Sequence, residues 1–125
     1  MRAALATTDG KVINEHFGRA EAFYIVDIDS SGRCFRERRE TAPLCAAGGH
    51  EDEAMESLID LLSDCDAVLV SRIGPGAERA LARHGVTAYE IPIPVDEALE
   101  KLRRLTALQS NHYNKARGKA YEREN

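Results

Sequence analysis

The sequence has no tryptophan, three cysteines in 125 residues, four prolines and an aromatic fraction of only 6%. No apolar run approaches the ~18 residues that a membrane-spanning helix needs, so no crossing of a bilayer is expected. The cysteines, Cys34, Cys45 and Cys65, are odd in number and show no C-x-x-C spacing, which argues against both a disulfide framework and a self-contained zinc site. A metal role therefore has to recruit histidine. Excess positive charge is missing too. The formal net charge of −4 offers no general attraction to nucleic acid, whose binding depends on clustered Lys and Arg releasing counterions. The apolar start, Met1 to Thr7, is too short for a signal peptide and runs straight into Asp9-Gly10, so it reads as a first strand and the protein is expected in the cytoplasm. Internal repeats and low-complexity linkers are absent.

What is present is an ordinary soluble composition, 43% hydrophobic and 30% charged, in a length that fits one domain. Ala3 to Thr7 and Ala22 to Ile28 read as strands, the second ending at the turn Asp29-Ser30-Ser31-Gly32. Arg33 to Glu40 is polar and fits an edge strand forming a hairpin with its predecessor. From Glu51 to Leu62 the period changes: Met55, Leu58, Ile59 and Leu62 fall at i, i+3, i+4 and i+7, one stripe of a helix. Ala67-Val68-Leu69-Val70 is continuously apolar, as a strand covered on both faces should be. Gly74-Pro75-Gly76 breaks it, and Ala77 to His84 forms a helix closed by Gly85. Val86 to Ile91 follows as a strand, and Val95, Ala98, Leu99, Leu102 and Leu105 mark a third helix. A hairpin followed by crossover units gives an α/β domain with a mixed five-stranded sheet over residues 1–105. Beyond it, 106–125 loses apolar periodicity and is expected to be a polar, disordered tail.

Two loops carry the residues suited to chemistry. Asn14-Glu15-His16-Phe17-Gly18-Arg19-Ala20 places an imidazole beside a glycine and an arginine, a set that fits either a metal ligand with an anion-balancing cation or a simple turn. Pro43 to Glu53 holds Cys45, Gly48, Gly49 and His50 just before a helix. A soft and a borderline ligand there, with glycines that let backbone N–H groups approach an anion, fit a binding site or a flexible connector with a free thiol. A thiolate at a helix N-terminus has a lowered pKa. Cys34 and Cys65 are expected to pack as small hydrophobes, and His84, before a helix-ending glycine, to be structural. Ile73 to Glu78 is a poor phosphate turn, lacking both a full G-x-G-x-x-G and a Walker lysine.

In combination, Asn14 to Ala20 with Phe23 to Asp27, Cys45 with Gly48-Gly49, Asp64 to Leu69, and Arg72 to Gly76 with Leu81 and Gly85-Val86 resemble the dinitrogenase iron-molybdenum cofactor biosynthesis family. That family includes NifX, NafY and the C-terminal domain of NifB. The resemblance covers about residues 1–105 and implies a ribonuclease H-like three-layer α/β/α sandwich, strand order 3-2-1-4-5, with strand 2 antiparallel. It also implies binding of the iron-molybdenum cofactor or an iron-sulfur precursor cluster. By position His16, Gly18 and Arg19 carry over the His-Phe-Gly loop, and Cys45, Gly48, Gly49 and His50 fall where further contacts are expected. His16, Cys45 and His50 are then the metal ligands, and the partners are cluster donor and acceptor proteins, with no nucleic acid and no membrane. Such a protein carries its cargo and is not an enzyme. The alternatives are a redox-sensing or regulatory interaction module and, least favoured, a metal-dependent nuclease built on Asp9, Glu53 and Asp66. Monomer or dimer is left open.

Overall fold

The computed structural model describes residues 1–41 and 51–105. Five strands, β1 (Arg2–Leu5), β2 (Ala22–Asp29), β3 (Gly32–Glu40), β4 (Ala67–Val70) and β5 (Thr87–Glu90), form one sheet in the order β3-β2-β1-β4-β5. β2 is antiparallel to β1 and β3, while β1, β4 and β5 run parallel. This is the expected order, with β2 the one reversed strand. The helices are α1 (Glu51–Leu61), α2 (Pro75–Arg83) and α3 over 95–105.

Alternation along the strands builds two cores. Ala4, Ala6, Phe23, Ile25, Val68 and Val70 face one way and meet Leu58 and Ile59 of α1, Leu62 just past its end, and Leu81 of α2. Ala3, Leu5, Val26, Ile28, Ala67 and Leu69 face the other way and meet Val95, Ala98, Leu99 and Leu102 of α3. The described elements therefore stack as helices, sheet and helix. All four residues of β4 are buried because both faces are covered, which is why that segment reads as an unbroken apolar run. Leu105, at the end of the α3 stripe, is exposed.

Turn chemistry follows the sequence. Asp29 Oδ1 accepts from Ser31 N and Gly32 N at 2.9 and 3.1 Å, closing the hairpin, and Gly85 takes φ +79° just past α2, where a side chain would be strained. Backbone N–H groups close α2: His84 N and Val86 N each donate to Leu81 O at 2.9 Å, and Gly85 N donates to Ala82 O at 3.0 Å.

β3 departs from a plain edge strand. Ile25 pairs with Glu37 but Val26 pairs with Phe35, so Arg36 is an extra residue, a β-bulge. Beyond it the strand changes face. Arg39 reaches toward α1, donating to Leu61 O and the Asp64 carboxylate, whereas Arg33 pairs with Asp96 on α3. β3 is exposed along almost its whole length. That corrects one expectation: Cys34 does not pack but is exposed, because β3 is the outermost strand and, among the described residues, no helix covers it there. Cys65 is buried as expected, and burial pushes its thiol up to about 12.

Candidate functional site

β1, β4 and β5 are parallel, so the segments that follow them leave the sheet at one end. The end of β3 lies there as well, since Glu40 pairs with Ala22 at the start of β2, which neighbours the end of β1. Crevices outside the carboxyl ends of strands are where open α/β sheets bind ligands.

The segment after β1 is fixed at several points. Asn14 N and Glu15 N both donate to Ala6 O at 3.2 Å, and the Asn14 side chain exchanges two hydrogen bonds with Thr8. Asp9 Oδ1 accepts from Lys11 N at 2.8 Å, which holds the Asp9 carboxyl below its usual range. Phe17 opens a single 3-10 turn, Phe17–Arg19, and its ring is fully buried against Phe23, centroids 5.9 Å apart. That anchor leaves His16, immediately before it, in extended backbone and exposed at the sheet end.

His16 is also tied sideways. It forms a parallel bridge with Arg72, flanked by Phe17 N donating to Arg72 O at 2.9 Å and Ser71 N donating to Glu15 O at 3.0 Å. Arg72 stands two residues past Val70, the buried end of β4, so the loops after two adjacent parallel strands are stitched together. The sequence reading did not place Arg72 in the site. Adjacency of β1 and β4 brings the loops after them to one end of the sheet, but backbone pairing between those loops leaves no pattern in the sequence.

Of the residues expected to bind cofactor, His16, Gly18 and Arg19 lie together on this loop and all are at least partly open to solvent. Cys45, Gly48, Gly49 and His50 lie outside the described residues. The point where their loop departs is described: Thr41 N donates to Glu21 O at 2.9 Å and Thr41 Oγ1 donates to Ala20 O at 2.6 Å. Thr41 is thus clamped to the residues that directly follow the His16 loop.

The carboxylates considered for a two-metal nuclease do not assemble. Asp9 follows β1, but Asp66 precedes β4 and accepts from Arg2 N at 2.8 Å, so the two stand at opposite ends of parallel neighbours. Among the described residues no group of three or more His, Cys, Asp or Glu could hold a metal ion, and no helix is long and apolar enough to cross a membrane.

Fold and site together define a small α/β domain with His16, Arg19 and Arg72 exposed at the carboxyl end of the parallel strands. The chain belongs to the dinitrogenase iron-molybdenum cofactor family, whose model matches residues 1–105. The FeMo cofactor biosynthesis protein NifB of Sinorhizobium fredii is 36% identical over 90 residues, covering 72% of this chain and 18% of that protein. The chain spans about a fifth of the length of the curated relatives it matches. The solution structure of a provisionally named NifB protein from Thermotoga superposes with a TM-score of 0.52 at 25% identity, over 81% of this chain and 85% of that one. The apo form of the orange protein from Desulfovibrio gigas gives 0.57 at 20% identity, over 81% and 85%, a likeness of fold.

Proposed function

We propose that this domain binds an iron-sulfur-based metal cofactor, the iron-molybdenum cofactor or an iron-sulfur precursor cluster, as cargo, and carries it between donor and acceptor proteins of nitrogenase-type assembly in the cytoplasm. It acts by binding alone and catalyses no reaction. The observation that supports this reading is that Thr41, the last described residue before Cys45, Gly48, Gly49 and His50, is hydrogen-bonded to Ala20 and Glu21, directly after the loop of His16, Gly18 and Arg19. His16, Cys45 and His50 supply the metal ligands. One thiolate and two imidazoles make few bonds to a multi-metal cluster, so affinity draws on several weak contacts, including backbone N–H groups freed by the glycines. Membership of the cofactor family and NifB-named relatives agree with this cargo. The ribonuclease H-like classification of the sandwich belongs to the same proposal, resting on its strand order.

The test is anaerobic titration of the full chain with isolated iron-molybdenum cofactor, followed by absorbance and electron paramagnetic resonance. His16→Ala and Cys45→Ala should each weaken binding about 10-fold or more, as loss of a ligand or its essential support does. Cys34→Ala should leave it unchanged. If both loop variants stay folded by circular dichroism and bind as tightly as the parent, the assignment fails. A colourless protein that takes up no cluster and dimerises through a disulfide on oxidation establishes the redox-sensing alternative instead.

A further inference from the structure

An anionic metal-sulfur cargo needs positive charge at the site. The arginines sort by location. Every arginine of β1, β3 and α3 holds a carboxylate: Arg2 with Asp27 and Asp64, the β3 arginines with Asp96, Asp27, Glu40, Glu37 and Asp64, and Arg103 and Arg104 with Glu100. Arg19, Arg72 and the α2 residues Arg79 and Arg83 hold none among the described residues. Two of these four, Arg19 and Arg72, flank His16.

Arg72 is the better placed. Directly paired residues of a β-bridge put their side chains on the same side, so the Arg72 and His16 side chains leave the backbone together, and both are exposed. Their backbones are held from below by buried Phe17 on one side and by β4 on the other, so the pair is fixed before any ligand arrives. The carboxylate of Glu90, from the next strand, is committed to the backbone, accepting from Ile73 N at 2.9 Å. A guanidinium is weakly hydrated, always charged and offers several N–H donors, which suits the diffuse negative charge of bridging sulfides or a carboxylate on the cluster.

We propose that Arg72 is a further binding residue of this site, set beside His16 by the parallel bridge, and that it makes the site select anionic metal-sulfur clusters over bare metal cations. This rests on the cargo reading above, with His16 as the ligand and Arg72 as the charge that accompanies it.

The experiment titrates the full-length parent, Arg72→Gln, Arg72→Lys, Arg83→Gln and His16→Ala with isolated iron-molybdenum cofactor, and in parallel with ferrous iron alone. Arg72→Gln should weaken cluster binding about 10-fold at low salt, the gap closing as ionic strength rises from about 0.05 to about 0.5 M. Arg72→Lys should restore most of the affinity, and binding of ferrous iron alone should not weaken. Arg83→Gln, at the far end of α2, should match the parent and so controls for lost surface charge. If Arg72→Gln binds cluster like the parent while His16→Ala is impaired, the role of Arg72 is overturned and the cargo site stands. Equal weakening by Arg72→Gln and Arg83→Gln also overturns it, since net charge is then sufficient. A parent that binds no cluster removes both.

Discussion

At the end of the sheet where β1 and β4 begin, Arg2 donates to Asp27 and Asp64 while Arg39 grips Asp64 from the other side; at the end where the same strands finish, Arg19 and Arg72 stand in solvent with no carboxylate among the described residues. The first end is a clasp. It ties β1, β2, β3 and the turn after α1 into one network, and its charges are spent on one another. The second end leaves charge unspent on a backbone that is nonetheless well anchored. The proposed cargo site rests on this contrast, with two such arginines flanking one exposed histidine.

The strongest blow to this contrast comes from beneath the open end. Phe17→Ala removes a fully buried ring from the larger core and with it the anchor of His16 and of the Arg72 bridge. It should cost about 3 to 5 kcal/mol, read by urea unfolding. A loss under about 1 kcal/mol would mean that the loop is held by something other than its aromatic root.

At the clasp the expected effect is smaller and separable. Asp64→Asn should cost about 1 kcal/mol at neutral pH, because the Asp64 side chain is 45% exposed and water screens the pairing. It should leave cluster affinity intact. Hydrogen bonds from Arg39, then Arg2, hold the Asp64 carboxyl well below the usual carboxylate range despite its partial burial. With a depressed native pKa, its contribution is complete above the unfolded value near ~4 and fades as pH falls below that. The stability gap between parent and variant should therefore shrink on acidification from about pH 5 to about pH 2. A gap that widened on acidification would show that the carboxylate is not stabilised in the native state.

The smallest effect concerns the two described thiols. In a Cys45→Ala chain at about pH 8, iodoacetamide should modify Cys34 without changing stability, and should reach Cys65 only after unfolding, since that thiol is buried and held protonated up to about 12. Two rapid additions to the native chain would show that the core around Cys65 is open.

Much of this architecture was legible before any coordinates. The α1 stripe of Met55, Leu58, Ile59 and Leu62 and the unbroken apolar β4 are direct imprints of burial, and Asp29 to Gly32 announces its turn through local hydrogen bonding. The exposure of Cys34 was not legible. An alternating polar strand looks the same whether it lies beneath a helix or at the rim, and only the strand order decides which. The His16 to Arg72 bridge was hidden for a related reason: it joins backbones 56 positions apart, and backbone pairing outside regular strands leaves no side-chain pattern. Family resemblance rested on both the His-Phe-Gly loop and the segment Arg72 to Gly76, but assigned Arg72 no contact.

The bulge at Arg36 gives β3 a change of phase. In a regularly paired strand Arg33 and Arg39, six positions apart, would project from the same side; because the bulge takes up one residue, one fastens to α3 on one face and the other to the turn after α1 on the opposite face. A single rim strand thereby rivets both outer layers to the sheet. Loss of the Arg36 codon would leave the two arginines five positions apart in a regular strand and so on opposite faces still, whereas straightening the bulge with all residues kept would turn one of the two rivets toward the wrong layer.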